Sequence, residues 1–139
     1  MSNPSGLSWT FLIVIAGKFN STEGPVNKHN VHPLYFDVVL NKHKIFDFNL
    51  PETHNSFIYL INGEIKVGEN KHDKVKDSTL ILLSKGENLS INAKSNTKFL
   101  VISGKPINEE IARGGPFVMN TKAEILQAVQ DYHNGTFVK

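Results

Sequence analysis

Histidine is the residue type with the most chemistry to offer in this sequence, which contains six of them. His29 and His32 lie three residues apart, and His54 comes just before an apolar run. A site can be drawn from these three histidines, with Asp37 or Glu52 as a fourth ligand. Three or four nitrogen and oxygen ligands that leave one position open suit a catalytic transition metal. The spacing therefore defines a hypothesis of metal-dependent catalysis.

A simpler interpretation of the histidines is the one that the sequence favours. His29 and His32 precede Pro33, in a loop or at a strand start, and not on the helix where a three-residue spacing aligns side chains. His43 lies between two lysines in a turn, and His133 lies near a helix end. We therefore expect exposed loop histidines, with at most one held by hydrogen bonds, and no metal ligands.

Other catalytic motifs are absent from the sequence. It contains no Cys, which removes disulfides, thiolate metal sites and Cys nucleophiles. Gly-x-Ser-x-Gly does not occur, and residues 114–116 are not followed by the Lys-Ser or Lys-Thr of a phosphate loop. Glu109 and Glu110 are adjacent, so we assign them to a loop surface. No catalytic residue is predicted.

Length and charge describe a single ordinary domain of 139 residues. Hydrophobic residues make up 40% and charged residues 20%, and the formal net charge is only +2. The polar segment 68–78 balances its lysines with acids, so we interpret it as a solvated hairpin tip. The sequence thus predicts no nucleic-acid partner.

The apolar run Phe11–Ala16 is too short to span a membrane as a helix. The first ten residues contain no Lys or Arg, so we predict no secretory signal. Residues 1–9 are expected to be a flexible lead-in, and Trp9 is expected to serve packing. We predict a cytoplasmic protein without a membrane partner.

Most of the chain consists of short β-prone runs separated by turn residues. Their spacing of about 8–12 residues predicts an antiparallel sandwich or barrel. Asn62-Gly63 is a strong hairpin signal, because both turn positions must accept positive φ. The predicted strands are Phe11–Ala16, Leu34–Leu40, 45–48, 57–61, Glu64–Val67, 79–83, 89–93 and 99–102.

The C-terminal segment changes from the strand period to the helix period. Thr121 and Glu124 have the spacing of a capping box, and Gly135 is a plausible stop. The apolar positions between them, Ile125, Ala128, Val129 and Tyr132, follow helical spacing. The sequence predicts one amphipathic helix of about 12 residues.

Several segments of the chain match a known family in the same order. Residues 104–121 (GKPINEEIARGGPFVMNT) are followed by the capped helix and by residues 134–137 (NGTF). Upstream come residues 14–17 (VIAG), then Gly24-Pro25-Val26, then residues 51–63 (PETHNSFIYLING). Together they resemble the C-terminal domain of the pirins over nearly the whole chain. Glu110 and Gly114 depart from the family, which usually has a Pro and an aromatic residue there.

The resemblance implies an all-β cupin fold, a jelly-roll-like antiparallel β-barrel or sandwich with one C-terminal α-helix. We expect the barrel over about 10–103, a tail loop over 104–120 and the helix over about 121–134. Pirins normally have two cupin barrels, and the N-terminal one holds the iron and any quercetin-cleaving dioxygenase activity. The chain resembles only the second barrel, so it is either a stand-alone half-pirin, which we favour, or a piece of a longer two-barrel chain.

The same resemblance indicates where a cupin metal site would lie. With the sequences aligned on Asn62-Gly63, the His-x-His pair falls near Asn49 and Pro51, and the acidic ligand near Asn55. None of these residues is a His or an acid, and the later predicted strands contain no His. We therefore predict a metal-free binding or interaction module with no cofactor. The alternative is a quercetinase-like dioxygenase that binds iron or another divalent metal at the three histidines named first.

A lone half-pirin would expose the apolar surface that the other barrel covers in the family. Exposed apolar patches commonly mark interfaces. We expect a homodimer, in which the tail can be exchanged between copies, or a pairing with a separate cupin-domain chain. The residues expected at this interface are Ile107, Ile111, Pro116, Phe117, Val118, Met119, Ile125, Ala128, Val129 and Tyr132.

Overall fold

The computed structural model describes residues 11–26, 30–68 and 74–138, and the chain forms two compact units, Met1–Pro106 and Ile107–Lys139. The first unit contains strands β1 (Phe11–Ala16), β2 (Lys18–Phe19), β3 (Thr22–Glu23), β4 (Leu34–Leu40), β5 (Ile45–Asn49), β6 (Asn55–Asn62), β7 (Glu64–Val67), β8 (Lys74–Lys76), β9 (Thr79–Leu82), β10 (Asn88–Ala93) and β11 (Thr97–Gly104). The second contains β12 (Ala112–Gly114), β13 (Phe117–Met119) and α1 (Lys122–His133). No helix in these described ranges is long and apolar enough to cross a membrane.

Two antiparallel sheets form the body of the first unit. A five-stranded sheet has the order β1-β4-β11-β6-β9, and a four-stranded sheet has the order β5-β10-β7-β8. Strands β2 and β3 make a small separate hairpin. Non-consecutive neighbours in both sheets give the crossed connectivity of a jelly roll rather than a meander.

The core between the two sheets is built largely from phenylalanine rings. Phe36 of β4, Phe46 of β5 and Phe99 of β11 are fully buried. Phe46 meets Phe99 edge to face across the two sheets, with ring centroids 5.8 Å apart. Phe19 lies within 5.9 Å, centroid to centroid, of three core rings, those of Phe36, Phe46 and Phe48. These aromatic rings fill the interior between the sheets, as side chains fill the interior of small barrels in general.

Strand alternation places a second set of side chains on the other side of the five-stranded sheet. We call this set the outer face. Its members alternate with core residues such as Phe36, Val38, Ile58 and Val101, which are fully buried. The outer face comprises Phe11, Ile13, Tyr35, Asp37, Val39, Phe57, Tyr59, Leu80, Leu82, Lys98, Leu100 and Ile102.

The predicted strands are confirmed, with small differences at their ends. Phe11–Ala16, Leu34–Leu40 and Glu64–Val67 have the predicted bounds. The largest extension is in β11, predicted over 99–102 and observed as Thr97–Gly104. Propensity and pattern identify a strand more readily than its ends, since the final pairs depend on the neighbouring strand.

The prediction that Asn62-Gly63 closes a hairpin between its flanking strands is wrong. β6 pairs with β11 and β9, whereas β7 pairs with β10 and β8, so the two strands belong to different sheets. Gly63 has φ +95°, and a Cβ there would lie 2.8 Å from Thr97 Cα. Positive φ was predicted correctly for Gly63, but Asn62 is the last residue of β6, and Gly63 carries the chain from one sheet to the other.

The second unit contains a hairpin and the helix. The hairpin of β12 and β13 lies inside the segment expected to be a tail loop, and the helix packs against it. The capping box is confirmed: Thr121 Oγ1 accepts from Glu124 N at 3.2 Å, and Glu124 Oε2 accepts from Thr121 N at 2.7 Å. A Cβ on Gly114 would overlap Ile125 Cγ2. The aromatic residue that pirins usually have at this position therefore does not fit here.

Candidate functional site

His54 is the buried histidine of the described structure, and it precedes β6 at one end of the first unit. Its Nδ1 lies 3.0 Å from Ser103 Oγ on β11, and Ser56 Oγ donates to Ser103 Oγ at 2.9 Å. Ser103 Oγ accepts from Ser56 and can donate its own hydrogen to Nδ1. In that tautomer the imidazole hydrogen lies on Nε2. Nε2 has no hydrogen-bond partner among the described residues.

The charge on His54 is disfavoured by its surroundings. Burial lowers the pKa of His54 below 6.5, and the nearby charges of His32, Lys85 and Lys105 lower it further. Desolvation and like charges both penalise the imidazolium form. Near neutral pH the neutral imidazole is therefore the favoured form of this side chain.

Lys85 is fixed beside His54 by three acceptors from the segment before β6. Its Nζ donates to His54 O and to Asn55 Oδ1, both at 2.9 Å, and to Thr53 O at 3.5 Å. These acceptors carry no net charge, so the ammonium charge remains uncompensated. Lys85 comes from the connection between β9 and β10, which the hydrogen bonds tie to the start of β6.

His32 reaches the same end of the unit from the segment before β4. Its φ of +44° is uncommon for a residue other than glycine. The neighbouring Val31 carbonyl accepts from Lys105 N at 2.7 Å, which ties this segment to the end of β11. His32, His54, Lys85 and Lys105 therefore come together, and we call them the basic cluster.

The residues considered first as metal ligands are only partly brought together. His32 and His54 are close enough to interact electrostatically, whereas His29 lies outside the described residues. Asp37 lies on the outer face, where its Oδ2 pairs with Lys98 Nζ at 3.2 Å. Glu52 is exposed. No three His, Asp or Glu side chains of the described ranges come close enough to share a metal ion, and the metal prediction stays a prediction.

The remaining histidines have no common site. His43 has φ +68° in the turn between β4 and β5, as a turn residue there requires. His133 is exposed in the last turn of α1. His72 lies outside the described residues, as does Trp9.

The barrel interior does not carry metal-binding donors at the positions that the family alignment indicates. Asn49, Pro51 and Asn55 are all exposed. Beside them, Leu50 is buried in an aromatic and aliphatic core. The side chains at these positions therefore do not fit an iron site inside this barrel.

An open groove of about 730 Å³ runs beside the basic cluster, along the edges where β8 and β9 end their sheets. Apolar side chains such as Leu50, Val75 and Leu89 line it. Lys85 also lies in its wall. Polar residues such as Lys74, Thr79 and Asn88 line it as well, so the groove has mixed walls with a fixed ammonium group at one place.

The outer face carries several exposed apolar side chains of the first unit. Phe11, Leu80 and Leu82 are 53%, 54% and 77% exposed, and Tyr59 is also exposed. In the middle of this surface Asp37 Oδ1 is buried and has no hydrogen-bond partner in the described structure. Sequence reasoning missed this surface, although the signal was present: Leu34–Leu40 is apolar at nearly every position, which is typical of strands covered on both sides.

The residues predicted for the interface differ in their exposure. Ile107, Ile111, Val118 and Tyr132 are exposed by more than half. Ala128 is buried. The half-buried or exposed remainder comprises Pro116, Phe117, Met119, Ile125 and Val129. Phe117 contacts the rings of Tyr132 and Phe137 within the second unit, so part of the predicted interface serves packing.

These sheets define an all-β cupin fold with one C-terminal helix, as predicted. The sequence matches the family model of the pirin C-terminal cupin domain over residues 35–138, and the chain belongs to this family.

Known relatives agree with that assignment. A pirin-like protein from Solanum lycopersicum is 40% identical over 73% of this chain and 36% of its own length. Human pirin is 33% identical over the same shares. The crystal structure of a quercetin 2,3-dioxygenase from Acinetobacter baumannii has 37% identity and a TM-score of 0.78, over 91% of this chain and 43% of that one. The chain therefore spans less than half the length of these relatives.

Proposed function

We propose that this chain is a metal-free binding and interaction module that associates with a second copy of itself through the outer face. The exposed apolar outer face is the observation that carries the proposal, because contiguous patches of this kind usually mark interfaces. The apolar interior supports the metal-free part of the proposal, since it offers no ligand set at the cupin positions.

The size of the outer face suits a dimer. Five strands about 4.8 Å apart make a face about 24 Å wide, and its outward rows extend it about 20 Å along the strands. The resulting flat area of about 500 Å² understates the accessible surface of the side chains that stand on it. A standard interface buries about 800 Å² on each partner. The area of the outer face is therefore of the same order as the area that each partner buries in a standard interface.

The polar groups of the outer face are arranged so that it can pair with itself. Asp37 and Tyr59 lie on either side of Leu100 in one row across β4, β11 and β6. A two-fold axis running along β11 would place Asp37 of one copy opposite Tyr59 of the other. The tyrosine hydroxyl would then donate to the unpartnered Asp37 Oδ1. Self-complementarity of this kind is what a two-fold interface requires.

Substitutions on the outer face test the proposal. Leu80→Asp combined with Leu82→Asp places two charges on exposed positions, so it should abolish the dimer without unfolding the chain. Sedimentation velocity at tens of micromolar should show a dimer for the wild type and a monomer for this variant. Circular dichroism checks that both remain folded.

The matched control is Ile107→Asp combined with Ile111→Asp, which changes two exposed apolar residues of the second unit. This control should remain dimeric. A wild type that sediments as a monomer would refute self-association. Loss of the dimer in the control alone would instead support the interface predicted for the tail.

A second candidate function is a metal-dependent cupin dioxygenase, which the closeness of His32 and His54 favours. The similarity to a solved quercetin 2,3-dioxygenase points in the same direction. Elemental analysis of untagged protein, purified without chelator, separates the two functions. Metal below about 0.1 per chain supports the metal-free module, because a functional site would be largely occupied. Near-stoichiometric metal that His54→Ala removes, together with flavonol cleavage, would support the enzyme.

A further inference from the structure

We propose that the basic cluster binds a small oxyanion, such as a carboxylate or phosphate group. The cluster combines the fixed ammonium group of Lys85 with the basic side chains of His32 and Lys105 and the imidazole of His54 at one end of the first unit. Anion binding by the basic cluster does not depend on self-association through the outer face. The two proposals can therefore fail separately.

The backbone around the cluster is held in place by hydrogen bonds between distant segments. Lys105 N donates to Val31 O, and Lys85 Nζ donates to His54 O. Ser103 fixes the orientation of the His54 ring. A ligand would therefore meet groups that are already positioned, and would need to order little on binding.

The charges of the cluster have no acidic partner among the described residues. The described ion pair of the first unit, Asp37 with Lys98, lies on the outer face. The charged groups that act on His54 are His32, Lys85 and Lys105, and all of them disfavour its protonation. Like charges brought together without a counter-ion repel one another, and an oxyanion would relieve that repulsion.

The neutral His54 ring can donate a hydrogen bond to the ligand. In the tautomer in which Nδ1 accepts from Ser103, Nε2 carries a hydrogen that a ligand can accept. Nε2 makes no hydrogen bond to a described residue. A hydrogen bond from Nε2 and a charge-assisted contact from Lys105 are the usual means of holding an oxyanion.

The neighbouring groove extends the range of ligands to organic anions. Lys85 belongs both to the cluster and to the groove wall. A carboxylate held by the cluster would thus have a groove of about 730 Å³ beside it, with apolar side chains in part of its wall. An aromatic carboxylate should bind more tightly than inorganic phosphate if the groove takes part.

The test is a titration of the full chain with inorganic phosphate and, separately, with benzoate, at constant ionic strength maintained with sodium chloride. Nuclear magnetic resonance of the histidine imidazoles reports binding at His54 directly. We expect saturable shifts of the His54 signals with either anion. Tighter binding of benzoate would identify an organic carboxylate as the ligand class, and tighter binding of phosphate a phosphate group.

Lysine variants locate the site. Lys105→Gln should weaken binding about tenfold, the loss of one charge-assisted contact. The hydrogen bond that Lys105 makes to Val31 O comes from its backbone N, which the substitution retains. Lys85→Gln should weaken binding as strongly, although it also removes bonds to residues 53–55.

The control is Lys42→Gln, at the opposite end of the unit, where Lys42 N bonds Asn96. It should leave binding unchanged. The proposal is overturned if phosphate and benzoate shift His54 no more than chloride does. Equal weakening by Lys42→Gln and Lys105→Gln would also overturn it, because the effect would then reflect net charge alone.

Discussion

His54 shows how a single side chain depends on residues far away in the sequence. Its partner Ser103 is 49 residues away, and Ser56 completes the chain of hydroxyls. The sequence predicted at most one hydrogen-bonded histidine, but it could not identify Ser103 as the partner. That contact requires the pairing of β6 with β11, which no local pattern specifies.

The lowered pKa of His54 makes stability depend on pH in a defined direction. The folded protein binds a proton at His54 less readily than the unfolded chain, in which histidine has a pKa near 6.5. As the pH falls through 6.5 toward the lowered pKa, the unfolded state takes up more protons. The free energy of unfolding should therefore decrease across this window.

Urea denaturation at several pH values in phosphate-free buffer measures this dependence. His54→Gln retains an acceptor for Ser103 and should flatten the slope below pH 6.5. His133→Gln, at an exposed position of α1, is the control and should leave the slope as it is. An unchanged slope in His54→Gln would mean that another group causes the dependence.

At the scale of elements, the turn at Gly63 decides how the chain is divided between the two sheets. The sequence identified the strands on each side because their apolar runs are long enough to specify them locally. It did not identify their partners, because a glycine with positive φ can serve both in a hairpin and in a turn between two sheets. Sheet membership depends on β9 and β11, which come later in the chain.

Two glycine substitutions separate backbone strain from steric overlap. Gly63→Ala should lower the free energy of unfolding by about 3 kcal/mol, because it combines positive φ with overlap against Asn96 and Thr97. Gly68→Ala has positive φ but no described atom within 4 Å, so we expect a loss of about 1 kcal/mol. Chemical denaturation measures both, and equal losses would show that the overlap is relieved by local movement.

At the scale of the whole molecule, the family and the fold were predictable, but the main surface features were not. Motifs such as residues 115–121 identified the pirin C-terminal domain, and the family model confirms it. The outer face and the basic cluster each draw side chains from segments far apart in the chain. Such surfaces become visible only when strand order is known.

The strand order also has a consequence for how the chain is synthesised. β11 lies between β4 and β6 in the five-stranded sheet, yet roughly sixty residues separate it from β4 along the chain. At a translation rate of about 5–20 residues per second, β11 is synthesised several seconds after β4. During that time the edge of β4 that β11 covers in the folded sheet has no partner strand. Nascent chains of this protein should therefore be clients of chaperones that shield unpaired strands until Thr97–Gly104 has emerged.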